Sequence, residues 1–397
     1  MRTHLVNLGS GPVHYADFGG DGYPLLLIHG LGGAHVNWMS VGGRLARGHR
    51  VLAVDLIGFG LTPRAGRMAS LESNRDHIDR FITEVMGGRA TLVGNSMGGL
   101  LTILEAAARP EHVRAAVLVD PALPRPRRGA PNPLLSALFL SFLTPGVGEV
   151  AMRTRHAMAP EKLVERTLAL VARDPGSVAG EVLEAHLEMA RRRHGSRDAD
   201  RAFLQASRSL LVTLALKARF YEKVRKITCP TLLVHGAHDQ LVPVKAAREL
   251  AAIRPDWSVH IFDDLGHVPQ LEDPAALLSV VEPWLDGVRV SQDRRSVGRA
   301  ADQESKAAED EDEQEQDEDT QGEVDIARDH PDQSQAGALL AGLPDLAAGE
   351  VAGDDGGDRT HDRKGDPAED SADQADEGEG VRLLDRGDPA RRRRSTR

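Results

Sequence analysis

Five short stretches of the chain are almost wholly apolar: Pro24–His29, Arg50–Asp55, Ala90–Gly94, Val113–Asp120 and Thr231–His235. None alternates apolar with polar positions. That is how a strand covered on both faces reads, and such strands belong to parallel sheets flanked by helices. A weaker strand is expected at Ser258–Phe262. Two more polar runs, Arg2–Leu8 and Val13–Phe18, read as an antiparallel pair at a sheet edge. Between the strands, apolar residues recur at helical spacing over Leu71–Met86, Met97–Ala108, Lys245–Ile253 and Ala275–Leu285. The last two follow Pro243 and Pro274, where helices start. The alternation predicts a mostly parallel, eight-stranded, doubly wound α/β sheet.

From Pro121 to Cys229 the alternation stops. No convincing strand is found there, but helical patterns cover Leu134–Phe142, Glu161–Val171, Val182–Arg193 and Arg201–Phe220, with breaks at Pro145, Gly146, Pro175 and Gly176. The reading is a helical insertion over about 122–228 inside a domain spanning 1–290.

Charge separates that domain from the rest. Residues 291–397 hold 31 of the 60 acidic and 15 of the 49 basic residues, a net of −16, which leaves 1–290 at +5. The segment has no Phe, Trp or Tyr, and Glu309–Asp319 is all Asp, Glu and Gln. It cannot bury enough apolar surface to offset the entropy of ordering it, so 291–397 is expected to be a disordered acidic tail. Its terminal run Arg391–Arg394 reads as a solvated end rather than a nucleic-acid site. The single cysteine, Cys229, allows no internal disulfide and suits a reducing compartment. The N-terminus lacks the apolar core of a signal peptide, and the longest apolar stretch, Leu134–Leu143, is about half of what spans a bilayer. A cytoplasmic protein with no membrane or nucleic-acid partner is expected.

The strongest chemical signal is Gly94-Asn95-Ser96-Met97-Gly98-Gly99. It fits G-x-S-x-G, directly after a buried strand and directly before a helix. The glycines let strand and helix approach, and the sharp turn presents the serine hydroxyl at the carboxyl end of the sheet.

With this motif in place, residues 1–290 resemble the α/β-hydrolase superfamily. His29-Gly30-Leu31-Gly32-Gly33 resembles its oxyanion loop, and Asp55-Leu56-Ile57-Gly58-Phe59-Gly60 its loop after the fourth strand. Asp239, in Gly236-Ala237-His238-Asp239, falls where the family's acid follows the cap, and His267, in Leu265-Gly266-His267, follows the last strand. The order Ser…Asp…His is the family's order. The resemblance implies Ser96 as nucleophile, His267 as general base and Asp239 as the acid that orients it. The backbone N–H groups of Leu31 and Met97 would form the oxyanion hole. The competing acid is Asp120; the Pro121 after it restricts its backbone to extended conformations, which suits a structural strand end.

Other candidates read as structural. His29 shapes a loop, Asp55 accepts hydrogen bonds, and Trp38 and Trp284 pack. His235 and His238 have H-x-x-H spacing but no third ligand in evidence, so no metal is expected, and no cofactor.

Serine at the nucleophile position argues against the epoxide-opening and dehalogenating members of the family, which use aspartate. The reaction expected is hydrolysis of a carboxylic ester through an acyl-enzyme. The substrate would be a small molecule with an apolar group; Phe139 and Phe142, beside Leu134, Leu135 and Leu138, read equally as pocket residues and as the cap's own core. The same elbow occurs in hydrolases of carbon–carbon bonds in vinylogous diketones, which typically carry Trp after the catalytic histidine where this chain has Val268. A ligand-sensing receptor on the same fold is the third reading.

Overall fold

The computed structural model describes residues 1–126 and 133–291. The tail expected to be disordered, 291–397, lies outside the described residues apart from Ser291, as do the side chains of Leu134, Leu135 and Leu138.

Eight strands form one sheet: β1 (Arg2–Leu8), β2 (Gly11–Gly19), β3 (Tyr23–Ile28), β4 (His49–Val54), β5 (Ala90–Asn95), β6 (Val113–Val119), β7 (Thr231–Gly236) and β8 (Ser258–Phe262). Their order is β1-β2-β4-β3-β5-β6-β7-β8. β1, β2 and β4 pair antiparallel and every later pairing is parallel. From β3 the chain moves outward to β4, then crosses back to β5 on the other side. This reversal opens a crevice at the carboxyl ends of β3 and β5, where open α/β sheets bind ligands.

The unbroken apolar runs are explained by two cores, one on each face. Leu26 and Ile28 of β3 join Leu92, Leu118 and Leu233 on one side. Leu25 and Leu27 join Val93, Val117 and Val234 on the other. Each such side chain contributes roughly 1.5–3 kcal/mol by leaving water. Helices α1 (Met39–Leu45), α2 (Leu71–Val85) and α3 (Met97–Ala108) cover these faces.

The insertion between β6 and β7 is a cap of helices: α4 (Pro133–Leu143), α5 (Val147–His156), α6 (Pro160–Val171), α7 (Gly180–Arg193), α8 (Arg197–Ala215) and α9 (Lys217–Arg225). Two details differ from the sequence reading. α5 occupies a stretch in which no helix was expected, and the single helix expected over Arg201–Phe220 is two helices that break at Leu216. The break lets α9 sink Phe220 and Val224 into the first core beside α3, a tertiary gain that local pattern does not encode. After the cap come α10 (Val244–Ile253), α11 (Pro269–Glu272) and α12, over 274–291. Among the described residues no helix is long and apolar enough to cross a membrane.

Candidate active site

Ser96 sits between β5 and α3 with φ 56° and ψ −116°, a left-handed backbone that only a tight turn imposes on a serine. The surrounding glycines are needed for contact. A Cβ at Gly94 would lie 2.3 Å from the Gly98 carbonyl oxygen, and one at Gly98 would lie 2.1 Å from that of Ile28. The turn therefore packs onto β3 with no room for side chains and lifts Ser96, half-buried, at the sheet edge.

Across the crevice, His267 Nδ1 donates to Asp239 Oδ2 at 2.6 Å, and both residues are buried. The other carboxylate oxygen, Oδ1, accepts from the main-chain N–H groups of Leu241 (2.8 Å) and Val242 (2.9 Å). Burial alone would raise the Asp239 pKa, but the adjacent His267 and these donors hold it below the ordinary carboxylate range. Asn95, the residue before Ser96, donates from Nδ2 to the carbonyls of His267 (3.0 Å) and Val119 (3.1 Å). It ties the turn of Ser96 to the loop of His267. An imidazole so held in one tautomer can take a proton from a hydroxyl and return it to a leaving group.

The loop over residues 30–33 passes against the serine: a Cβ on Gly30 would be 3.0 Å from that of Ser96. Gly33 N–H donates to the Gly30 carbonyl at 3.1 Å and closes the turn that carries Leu31. Met97 is the first residue of α3, so its N–H has no intrahelical acceptor. His29 braces this loop from below. Its Nδ1 donates to the Gly30 carbonyl (2.8 Å) and its Nε2 accepts from Leu56 N–H (3.0 Å). Burial pushes its pKa down to about 4. Asp55 accepts from the ring Nδ1 of His14 and His35 and from the backbone N–H of His35 and Leu61.

The cap is stitched to the histidine's loop. His267 N–H donates to the Val171 carbonyl (2.8 Å), while Glu272 accepts from Gly266 N–H (3.0 Å) and Arg173 N–H (2.7 Å). Val268 packs with Val164, Leu168 and Leu271 in a small core between cap and α11. Asn95 lay inside the elbow motif but was not singled out, and nothing in the sequence around Glu272 marks its role.

A cavity of about 130 Å³ lies between the loop over residues 30–33 and the cap, lined by Gly32, Gly33, Phe59, Leu168, His186 and Phe203, with Arg155 and Arg193 also at its wall. Ser96 and His267 are not among its lining residues. Phe139 and Phe142 do not border it either. They pack edge-on within the cap, Phe142 against Phe203 at 5.5 Å, beside Met152 and Leu204.

Asp120 departs from its expected geometry. Its backbone is left-handed (φ 43°), not extended. Two bonds to the neighbouring strand impose this: its N–H donates to the Val234 carbonyl, and its Oδ1 accepts from Gly236 N–H at 2.8 Å. It is wholly buried, and burial together with nearby Asp239 raises its pKa well above the carboxylate norm.

Residues 25–280 match the sequence profile of the alpha/beta hydrolase family. A 2-hydroxymuconate semialdehyde hydrolase of Pseudomonas sp. (strain CF600) is 31% identical over 72% of this chain and 90% of its own length. A 2-hydroxy-6-oxo-2,4-heptadienoate hydrolase of Pseudomonas putida is 29% identical over 67% and 90%. Among solved structures, a serine hydrolase involved in carbazole degradation superposes with a TM-score of 0.56 at 25% identity, over 72% of this chain and 98% of the other.

Proposed function

As a member of the α/β-hydrolase family with a serine-hydrolase-like core and a helical cap, the protein, we propose, hydrolyses a carbon–carbon bond in a 2-hydroxy-6-oxo-dienoate or similar vinylogous diketone, with Ser96, His267 and Asp239 as its triad. The carrying observation is the relationship to hydrolases of such compounds, of which one is 31% identical over 90% of its length.

The site's geometry fits this chemistry. Ser96 Oγ adds to the ketone carbonyl as His267 takes the hydroxyl proton. The N–H groups of Leu31 and Met97 would stabilise the oxyanion that forms. Collapse breaks the bond between the carbonyl carbon and its neighbour. The bond can break only from the keto tautomer, in which the proton of the 2-hydroxyl has moved to C5 and made that carbon saturated; the C5 fragment then departs as a dienolate delocalised onto the C2 oxygen, which takes the proton held by His267. Water, deprotonated by His267, then releases the acyl group as a carboxylic acid. A carbon leaving group is feasible only when conjugation spreads its charge, which restricts the substrate to dienoates or their equivalents. Such a molecule also carries a carboxylate. The cavity beside the loop over residues 30–33 has Arg155 and Arg193 at its wall; Asp200 acts on both and Arg193 already donates to the carbonyls of Gly58 and Gly60, so a substrate carboxylate there would compete with these partners.

Ester hydrolysis uses the same groups, and Val268, where the carbon–carbon hydrolases typically carry Trp, favours it as the second reading. The two are separated by comparing kcat/KM on 2-hydroxymuconate semialdehyde and 2-hydroxy-6-oxo-2,4-heptadienoate with that on p-nitrophenyl esters of graded chain length. The proposal expects a dienoate to be preferred by roughly 100-fold or more. Preference for an ester by that margin overturns it.

A further inference from the structure

Behind the His267–Asp239 pair lies a second buried polar cluster, Asp120, His235 and Asp239, whose nearest ligand atoms all fall within 4.8 Å of one another. Its hydrogen-bond pattern leaves one proton to be placed. His235 Nε2 lies 2.9 Å from the Val242 carbonyl, a contact only an N–H can satisfy. In the neutral ring Nδ1 is then a bare lone pair. That Nδ1 has no hydrogen-bond partner and stands 3.5 Å from Asp120 Oδ1. Asp120 Oδ1 already accepts from Gly236, and Asp120 Oδ2 has no partner. Two bare acceptors thus share a site closed to bulk solvent, both side chains being fully buried, a costly arrangement unless a proton lies between them.

We infer that Asp120 is a neutral carboxylic acid at pH 7 and acts as a positioning residue, holding the end of β7 and leaving Asp239 as the cluster's sole anion. Asp239 takes three donors, from His267, Leu241 and Val242, whereas Asp120 takes one. The negative charge belongs where the donors are. The groups facing Asp120 agree: Asp239 and, farther off, Glu272 oppose its ionisation, while burial keeps His235 neutral rather than cationic. The left-handed backbone at Asp120 aims its carboxyl into this cluster through Gly236 N–H, and so fixes where the 237–239 turn begins. A neutral Asp120 adds no second charge beside the catalytic pair.

The consequence for catalysis rests on the triad reading above; the protonation state does not. Wild-type protein labelled with ¹³C-aspartate should show, in infrared spectra at pH 7, an isotope-shifted band of a protonated carboxyl group. The band should vanish in Asp120→Asn and persist in Asp239→Asn. Its absence from wild type, or its survival in Asp120→Asn, overturns the inference without touching Ser96. In turnover, Asp120→Ala should lose on the order of 10–100-fold. Asp120→Asn keeps a neutral acceptor for Gly236 N–H and a donor for the cluster, so it should rescue most of that loss with an unmoved acid limb in its kcat/KM profile. If Asp120→Asn is as impaired as Asp239→Asn, or its acid limb moves, Asp120 is charged in the working enzyme and the inference fails. Should the Asn variant not fold, the wild-type band and its persistence in Asp239→Asn decide the protonation state.

Discussion

The side-chain amide of Asn95 donates to the main-chain carbonyl of His267 at 3.0 Å, joining the Ser96 turn to the His267 loop across 172 residues of sequence. Its second N–H goes to Val119 at the end of β6. One residue thus ties together the two loops that the proposed proton transfer from Ser96 to His267 would require to meet. Asn95→Ala leaves the buried His267 carbonyl unpaired, at roughly 1–3 kcal/mol, while the Val119 carbonyl keeps the Ser96 N–H. Turnover should fall on the order of 100-fold with a smaller change in KM, measured by steady-state kinetics on the preferred substrate. A rise in KM alone would mean that Asn95 serves substrate binding.

Asp239→Asn should lower kcat by roughly 10⁴-fold, because an amide facing His267 Nδ1 no longer selects the productive tautomer. The comparison variant is Asp120→Asn, matched for melting temperature. The reverse ranking of the two would move the acid to Asp120.

Glu272 bridges the cap end at Arg173 and the loop at Gly266, directly before His267. Glu272→Ala removes two charge-assisted hydrogen bonds, a loss of about 2 kcal/mol or more in urea unfolding. The cap should also become more open to proteolysis after Val171. An unchanged cleavage rate would show that the apolar contacts of Val268 and Leu271 hold the cap unaided.

His29 titrates near 4 in the folded chain against a usual value of about 6.5. A depressed pKa means that the unfolded state binds the proton first. Stability is therefore intact above pH 6.5 and is lost as pH falls toward 4, by up to roughly 1.4 kcal/mol per pH unit for this group. His29→Gln can still donate to Gly30 and accept from Leu56. It should be less stable at pH 7, with a shallower loss over this window, as read from denaturant melts at a series of pH values. An identical slope in both proteins would place the acid sensitivity elsewhere, for instance at His77, also held near 4.

The sequence made the sheet legible because strands buried on both faces leave unbroken apolar runs, as at Leu25–Ile28. Ser96 was legible because its strained turn demands glycines at fixed offsets. α5 was hidden by its charged composition and by the breakers Pro145 and Gly146 just before it. The break at Leu216 carries neither Pro nor Gly, since packing of Phe220 against the sheet helices causes it. Asp120 reversed a local rule: the proline after it favours an extended backbone, and two bonds to β7 outweigh that preference. The ester expectation rested on the serine elbow, which reports the nucleophile and not the bond it attacks, and on Val268, which stands where the carbon–carbon hydrolases typically carry Trp.

The most direct test of the account is the mass of the intact protein after treatment with a fluorophosphonate, run on wild type and Ser96→Ala in parallel. The account predicts one adduct on wild type, mapped to Ser96, and none on the variant, which also loses turnover of the dienoate. An adduct of equal extent on Ser96→Ala, or dienoate turnover that survives the substitution, contradicts it.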